Sequence, residues 1–501
     1  FAFNFSCLSK RTVFFINLAN KLIIMKFKNT LFLLLTFLSI NILSSQQYVD
    51  DLGPEFHEKK RQEFRNQMPS NSIAFFFTSP IMKRSNDTDF MYHQDPNFYY
   101  LTGWKEPHGV LVIFKDNQQD DNGFFNEILF VRERNEYREM WDGRRLGLRG
   151  AKKMGFDRVK LRSDFMKNSF KIDNFSNVLS MDIRDDVRDF KDDKFDLYNM
   201  QNKFLEIIND NESPDNLGDL KKQFNNISVN NIMSNLRQTK DSLEIKLLTK
   251  AIKISSLAQI EVMKAIHGDM TEREVQGIHE FIYRKYGAAH EGYNSIVGAG
   301  ANSCILHYIT NESIDIDNQL ILMDLGAEYR GYTADVTRTI PANGKFSPEQ
   351  KEIYDLVYES QEAAIKKAVI GNTFNDIYLE SIEIISNGLI KLGIIDDAKD
   401  ARKYYPHGVS HHIGLDVHDP GSRTLEKNMV ITVEPGIYIP ENSDCDPKWW
   451  NIGVRIEDDI LITGTGPINL SEDAPRLSNE IEKLMELDSP INQLELPNID
   501  D

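Results

Sequence analysis

The chain has 501 residues, of which 41% are hydrophobic, 10% aromatic and 27% charged, and these proportions exclude a collagen, a mucin-like stalk or a wholly disordered chain. Its 76 acidic residues outnumber its 58 basic residues, and the resulting net charge of −18 argues against a nucleic-acid partner. The three cysteines are too few for a disulfide-rich scaffold or a cysteine zinc site.

Residues 25–46 have the pattern of a secretory signal peptide. Two lysines precede an apolar run over residues 31–43, and small and polar residues follow it. The run is shorter than the ~20 residues that span a membrane as a helix. We therefore expect a periplasmic or secreted protein without stable membrane insertion, the alternative being an uncleaved N-terminal anchor. Residues 1–24 precede Met25 and are expected to be a non-native upstream extension.

Residues 47–225 predict a smaller α/β domain. Three short apolar runs predict strands at 72–78, 109–114 and 127–132. The aromatic-rich segment 91–107 is predicted to be a loop, and the polar residues 116–122 a hairpin turn or insertion. Residues 183–224 are rich in Asp, Lys and Asn, which indicates exposed helices near a domain boundary.

Residues 226–480 predict a second domain with two similar halves. Each half begins with two amphipathic helices, and these four helices are predicted to start at Ser242, Thr271, Ser347 and Thr373. Strand-rich stretches follow each pair, so the order helix, helix, strands occurs twice at a period of roughly 100 residues. Two such halves facing each other would enclose a cleft. Residues 481–501 are predicted to be a loosely held acidic tail.

Acidic residues interrupt the apolar strands of this second domain. Apolar runs lead directly into Asp324 and Glu434, and a buried carboxylate needs a partner or a metal ion. Asp335 follows Asp324 by eleven residues, so a hairpin would place both carboxylates on one face. Glu457 lies in another predicted strand, with Arg455 on the same face. Each acid alone could be an ordinary turn or surface residue, but the set of four indicates a metal site.

Histidines strengthen the prediction of a metal site. The segment 406–421 contains His407, His411, His412 and His418 among glycines and prolines, which predicts a loop lining a site or, alternatively, a solvated loop. His307 follows another apolar run and could equally be a core histidine. Four carboxylates with one imidazole are typical of Mn²⁺, Fe²⁺ or Co²⁺, with Zn²⁺ also compatible. Two ions would balance four carboxylates better than one, and paired ions are typical of hydrolysis.

These motifs resemble the pita-bread metallopeptidases, and most closely the aminopeptidase P family. The resemblance lies in HYITNES, MDLGAEYRGYTADVTRTIPANGKFS, HGVSHHIGLDVHDPG, VITVEPGIYI and NIGVRIEDD, and upstream in QDPNFYYLTGWKEP and MWDGRRLG. It covers residues 50–475 and implies an α+β fold, a pita-bread catalytic domain preceded by a smaller α/β N-terminal domain. The implied activity is release of the N-terminal residue from peptides with proline in the second position, by attack of a hydroxide that bridges two metal ions.

The resemblance also implies the roles of individual residues. The metal ligands would be Asp324, Asp335, His411, Glu434 and Glu457, holding two divalent ions, with Mn²⁺ ahead of Zn²⁺, Co²⁺ or Fe²⁺. The catalytic residues would be Glu434, as general base and then acid, and His307 and His418, which stabilise the tetrahedral intermediate. The residues lining the proline site would be His407, Tyr438 and Arg455.

The N-terminal motifs imply a homo-oligomer, either a dimer or a tetramer. Trp141 matches a residue that reaches toward a neighbouring subunit's active site in the family. One position departs from the family pattern, because Asn97 stands where relatives carry an aspartate. This difference puts in doubt any contact that needs a negative charge there.

Two other functions compete with this prediction. A prolidase would cut only Xaa-Pro dipeptides, but His411, Glu434 and Glu457 follow one another at spacings of 23 residues, which leaves no insertion to narrow the cleft. A metal-free binding module on the same fold would have lost several ligands, and all five are present. In an exported chain, Cys304 and Cys445 could form one disulfide or remain two thiols.

Overall fold

A computed structural model describes residues 50–156, 158–168, 170–184, 187–209 and 226–494. The predicted upstream extension, the predicted signal peptide and the predicted domain boundary at residue 225 lie outside these ranges. Residues from Asp51 onward belong to one compact unit. Among the helices in the described ranges, none is long and apolar enough to cross a membrane.

The N-terminal domain is built on a mixed five-stranded sheet with the order β6-β5-β4-β1-β7. The strands are β1 (Ser72–Phe77), β2 (Lys83–Ser85), β3 (Thr88–Asp89), β4 (Val110–Asp120), β5 (Gly123–Val131), β6 (Val159–Leu161) and β7 (Asn177–Ser180), of which β2 and β3 form a separate ribbon. Strand β1 pairs antiparallel with β4 and parallel with β7. Both faces of β1 are buried, as its unbroken apolar sequence predicts, because alternate residues pack into two different cores.

Helices cover both faces of this sheet. They are α1 (Pro54–Gln67), α2 (Pro96–Thr102), α3 (Glu136–Asp142), α4 (Gly147–Lys152), α5 (Arg162–Phe165) and α6 (Leu197–Asn209). The predicted loop 91–107 contains α2, because Pro96 occupies the first turn and Asp95 caps it by accepting from the Phe98 backbone N–H. Helix α6 is also less exposed than its polar surroundings predict, since Leu197, Met200 and Phe204 pack against the sheet.

The hairpin between β4 and β5 differs from its prediction too. The two strands extend through most of residues 116–122, so only Asp121 and Asn122 connect them. Polar side chains are compatible with this extension because the outer part of the hairpin is largely solvated.

The second domain contains the predicted repeat of helices and strands. Its helices are α7 (Asn226–Arg237), α8 (Ser242–Ala265), α9 (Glu272–Lys285), α10 (Pro348–Lys367), α11 (Phe374–Lys391) and α12 (Ser478–Met485). Its strands are β8 (His290–Glu291), β9 (Ile296–Ala299), β10 (Leu320–Asp324), β11 (Ala327–Tyr329), β12 (Tyr332–Thr333), β13 (Thr337–Pro341), β14 (Val430–Val433), β15 (Gly436–Ile439), β16 (Ile452–Arg455), β17 (Asp458–Thr463) and β18 (Gly466–Asn469). The pairs α8–α9 and α10–α11 each precede one set of strands, as predicted.

Capping boxes start all four repeat helices. The cap residues are Asp241, Thr271, Ser347 and Thr373, and in each case the third helical residue returns a side-chain hydrogen bond to the cap backbone. The helix predicted from Ser242 therefore uses Asp241 as its cap. These caps fix the residue at which each helix begins.

The predicted end of the second domain at residue 480 and the predicted loose tail after it both differ from the structure. Helix α12 crosses the boundary predicted at residue 480, and Ile481 is fully buried in the core of the second domain. Residues 481–485 are thus held by packing, whereas the sequence predicts that the loose tail begins at residue 481. Cys304 and Cys445 are both free thiols, which answers the question that the sequence left open.

Candidate active site

Two acidic residues converge at the end of the β10–β13 pair. Asp324 is the last residue of β10 and lies opposite Thr337, while Asp335 lies two residues before β13. The Tyr293 hydroxyl lies within hydrogen-bond distance of Oδ1 of both Asp324 and Asp335, at 2.6 and 2.5 Å. The hairpin therefore brings both carboxylates to one place, as the sequence predicts.

The second half of the domain supplies an equivalent pair. Glu434 follows β14 directly, and Glu457 lies between β16 and β17, one residue before the Asp458 that pairs with Val433. Thr337 links the two halves, because its hydroxyl donates to Glu457 Oε2 at 2.6 Å and its carbonyl accepts from the Glu457 backbone N–H at 3.1 Å. Four carboxylates from two strand pairs thus meet in one site.

His411 lies among these carboxylates. Its Nδ1–H donates to the backbone carbonyl of His412 at 2.9 Å, which directs Nε2 toward the acids. Nε2 lies 3.5 Å from Asp335 Oδ2 and 3.6 Å from Glu434 Oε1, too far for strong hydrogen bonds. Ligand atoms of Asp335, His411 and Glu457 all lie within 4.8 Å of one another. A histidine whose second nitrogen is held by a carbonyl is the usual arrangement of a metal ligand.

The charge of the site supports the same interpretation. Burial and the neighbouring carboxylates raise the pKa of Glu457 well above its ordinary value. They also raise the pKa of Glu434 to about 7, even though His411 and Arg455 oppose the shift. Burial lowers the pKa of His411, but the Asp335 and Glu434 carboxylates outweigh burial and raise it to about 9. Buried carboxylates this close together repel one another, and additional positive charge is needed to keep them ionised. A set of oxygen ligands with one imidazole suits divalent cations.

The affinity of this site for divalent ions is expected to increase as the pH rises from about 6 to about 9. Glu434, with a pKa of about 7, and His411, with a pKa of about 9, hold protons in the metal-free protein. Ligands must release these protons to bind a metal, so affinity should improve by up to about tenfold per pH unit for each proton released. Calorimetric titration with Mn²⁺ at several pH values measures this slope. An affinity that does not change with pH would contradict the assignment of these two residues as ligands.

A chain of hydrogen bonds forms one wall of the site. Arg455 pairs with Asp324 through Nη2 and donates from Nη1 to the Tyr438 hydroxyl at 2.9 Å. That hydroxyl donates to His407 Nε2 at 2.8 Å, and His407 Nδ1–H donates to the Gly408 carbonyl. Burial and the charge of Arg455 lower the pKa of His407 to about 4, so this imidazole is neutral. The three residues predicted to line a proline site are therefore held together as one rigid surface.

The remaining predicted histidines lie on the open side of the site. Both His307 and His418 are exposed, and the His418 ring meets the His411 ring edge-on with 4.4 Å between centroids. The segment carrying His307 is anchored by Glu272, which accepts from the Ala299 and Ser313 backbone N–H groups and from the Tyr308 hydroxyl. Exposed imidazoles on an anchored segment can contact a ligand that enters the site.

Sequence reasoning missed two helix glutamines that hydrogen-bond to the backbone beside the acids. Gln259 of α8 donates to the carbonyls of Met323 and Val336, which adjoin Asp324 and Asp335. Gln361 of α10 donates in the same way to the carbonyls of Val433 and Ile456, which adjoin Glu434 and Glu457. A glutamine within the apolar face of an amphipathic helix was the available sequence signal. The equivalence of the two glutamines shows the internal repeat at the level of single side chains.

Two domain families match the chain. Residues 246–464 match Metallopeptidase family M24, and residues 57–179 match the Aminopeptidase P, N-terminal domain. Among curated proteins, the Xaa-Pro aminopeptidase of Escherichia coli (strain K12) is 35% identical over 457 residues, covering 87% of this chain and 99% of that protein. Xaa-Pro aminopeptidase 3 of Homo sapiens is 33% identical over 438 residues, covering 85% and 83%.

Solved structures give the same result for the fold. Proline aminopeptidase P II from Yersinia pestis matches with a TM-score of 0.76 and 32% identity, covering 86% of this chain and 99% of that one. Aminopeptidase P from E. coli with the inhibitor Pro-Leu matches with a TM-score of 0.76 and 34% identity, covering 87% and 98%. The fold and the acid-rich site thus define a pita-bread metallopeptidase of family M24 with an additional N-terminal domain. Within that class, the chain belongs to the Xaa-Pro aminopeptidase family. The predicted fold class and the family resemblance are confirmed.

Proposed function

We propose that this protein is a metal-dependent exopeptidase that releases the N-terminal residue from peptides with proline in the second position. The observation that carries the proposal is the convergence of Asp335, His411 and Glu457 ligand atoms within 4.8 Å, with Glu434 beside them. Relatives matched over most of the chain are named for this activity. The prolidase alternative is not favoured, because those relatives are aminopeptidases and the ligand spacing is compact.

The metal requirement follows from the donor set. The residues that would hold two divalent ions are Asp324, Asp335, His411, Glu434 and Glu457. Four carboxylates balance the charge of two ions better than that of one, and hard oxygen donors place Mn²⁺ ahead of Zn²⁺, Co²⁺ or Fe²⁺. When bound, the ions supply a water of lowered pKa and positive charge for the scissile carbonyl.

Glu434 is the residue best suited to move a proton. Its side chain is about one-fifth exposed, whereas Asp335 and Glu457 are more deeply buried. The Glu434 carboxylate can take a proton from the attacking water and return it to the leaving proline nitrogen. His307 and His418 lie on the open side, where they can donate to the oxygen that develops negative charge.

The wall of His407, Tyr438 and Arg455 suits the ring of the substrate's second residue. The His407 and Tyr438 rings lie 5.4 Å apart between centroids, and Tyr405 packs edge-on against His407 at 5.1 Å. Neutral aromatic surfaces of this kind pack well against a rigid apolar ring such as proline. The hydrogen bonds to Arg455 hold that surface in place before a substrate binds.

The length and sequence of the peptides that are cleaved distinguish an Xaa-Pro aminopeptidase from a prolidase. We expect kcat/KM for a tripeptide or tetrapeptide beginning Xaa-Pro to exceed that for the matching Xaa-Pro dipeptide by about tenfold, because the cleft has no insertion that limits length. A matched Xaa-Ala peptide serves as the control and should be a much poorer substrate. Release of the N-terminal residue can be followed by chromatography. Cleavage confined to the dipeptide would establish a prolidase instead.

Export and self-association complete the proposal. The predicted signal peptide over residues 25–46 supports a periplasmic or secreted enzyme, and N-terminal sequencing of the mature protein tests its removal.

On helix α3, the side chains of Tyr137, Met140 and Trp141 are 65%, 76% and 72% exposed, which supports a homo-oligomeric dimer or tetramer formed through this face. Light scattering of the purified enzyme measures its oligomeric state.

A further inference from the structure

A second group of potential ligands lies away from the candidate active site, in a cleft between the two domains. His290 on β8 and Glu328 on β11 are directly opposite each other in an antiparallel pair, so their side chains share one face. His93 reaches the same carboxylate from the N-terminal domain, with its Nε2 at 3.0 Å from Glu328 Oε2. Tyr99 and Leu415 are among the residues that line this cleft.

The orientation of His290 indicates a cation site. Its Nδ1 is within hydrogen-bond distance of the Glu291 carbonyl, and because a carbonyl can only accept, Nδ1 carries the proton. The other ring nitrogen, Nε2, lies 3.8 Å from Glu328 Oε1. A cation bound between these two atoms would contact both of them. His411 has the same arrangement, with Nδ1 on the carbonyl of the next residue and Nε2 toward carboxylates at 3.5 and 3.6 Å.

His93 lies on a loop held by hydrogen bonds, and about half of its side chain is exposed. The neighbouring Gln94 donates to the carbonyls of Trp104 and Glu106, and its Oε1 accepts from the Ser79 backbone N–H. The His93 side chain is 49% exposed, whereas that of Glu328 is 8% exposed. The His93 and His290 ring centroids are 6.1 Å apart. Two imidazoles on one zinc ion, with Zn–N bonds of about 2.0–2.1 Å, have centroids roughly 5–6 Å apart, so a small rotation of His93 is sufficient.

We infer that His93, His290 and Glu328 form a second metal site, specific for Zn²⁺ or a similar imidazole-binding transition metal. Two imidazoles and one carboxylate are a typical three-ligand zinc set, and they differ from the carboxylate-rich set of the candidate active site. Because His93 belongs to the N-terminal domain and the other two residues to the second domain, the bound ion links the two domains.

Zinc counting on matched variants tests this site. The full-length enzyme, His93→Ala, His290→Ala and the control His267→Ala, whose histidine is exposed elsewhere, are equilibrated with buffered free Zn²⁺. Metal analysis should show one zinc ion fewer per chain in the two site variants, or binding weakened by more than about tenfold, and no change in the control. Mn²⁺-dependent activity should stay within about twofold of wild type in all four proteins, which shows that they are folded and that the two sites are independent.

A spectroscopic measurement gives a second, direct readout. Cu²⁺ bound at this site should show nitrogen couplings from two imidazoles in its electron paramagnetic resonance spectrum, and each histidine variant should lose one of them. Glu328→Gln should weaken zinc binding while both nitrogens remain. Equal zinc content and equal affinity in all four proteins would overturn the inference, whatever their peptidase activity.

Discussion

Replacing Glu434 with glutamine is expected to abolish turnover of Xaa-Pro peptides while leaving the protein folded. Glutamine keeps the size of the side chain but can neither take a proton from water nor return one to the proline nitrogen. Loss of general acid–base catalysis costs about 10²–10⁴-fold, and loss of a charged metal ligand adds to this, so kcat should fall by at least about 10³-fold. Single-turnover release of the N-terminal residue measures the effect.

A matched control distinguishes loss of the Glu434 carboxylate from loss of one negative charge elsewhere on the protein. Glu441 is exposed just beyond β15, and Glu441→Gln makes the same chemical change outside the site. This control should retain full activity, and both variants should unfold with the same cooperativity as wild type. Release of the N-terminal residue by Glu434→Gln at close to the wild-type rate would refute the role assigned to Glu434.

Replacing Glu457 with glutamine is expected to remove activity and at the same time to stabilise the metal-free protein. Burial, Asp335 and Glu434 raise the pKa of Glu457, so the folded state holds a proton that the unfolded state releases. The free energy of unfolding of the wild type therefore falls as the pH rises above the ordinary glutamate value. Glutamine does not titrate and can still accept the hydrogen bond from Thr337, so it avoids this cost.

The difference should therefore depend on both pH and metal. In the presence of a chelator, Glu457→Gln should be more stable than wild type, and its advantage should grow with pH to about 1 kcal/mol or more. With Mn²⁺ present, the wild type should become the more stable protein, because the variant has lost a ligand. Urea unfolding measures the difference in the free energy of unfolding between the two proteins, both with the chelator and with Mn²⁺. The exposed control Glu472→Gln should show neither effect, and a variant that is less stable than wild type under all conditions would contradict the expectation.

The acids of the site could be predicted from sequence because a buried carboxylate is unusual at the end of an apolar strand. Asp324 and Glu434 each end an apolar strand, and the short interval between Asp324 and Asp335 allows only a compact hairpin. The sequence predicts Glu457 within a strand, whereas this residue lies in the break between β16 and β17. That break is set by pairing with two different partner strands, β15 and β14, and a single sequence does not show such long-range pairing.

The supporting contacts could not be predicted for a related reason. Tyr293 reaches acids 31 and 42 positions away, and Thr337 reaches Glu457 across 120 positions. Tyrosine and threonine are also common in strands with no special role. Local patterns fared better, since capping boxes depend on residues only three positions apart. The short aromatic sequence of α2 predicts a loop, but the Asp95-Pro96 pair caps and starts a helix there.

The most direct test of the proposed function is to strip the metal and restore it, with a peptide beginning Xaa-Pro as substrate. Removal of divalent ions with a chelator should reduce release of the N-terminal residue to less than about 1% of its initial rate, because the water is then no longer activated. Addition of Mn²⁺ should restore the rate in proportion to the ions bound by the acid-rich site, and the matched Xaa-Ala peptide should remain a poor substrate. Full activity in protein shown by metal analysis to be free of divalent ions would contradict the proposed function.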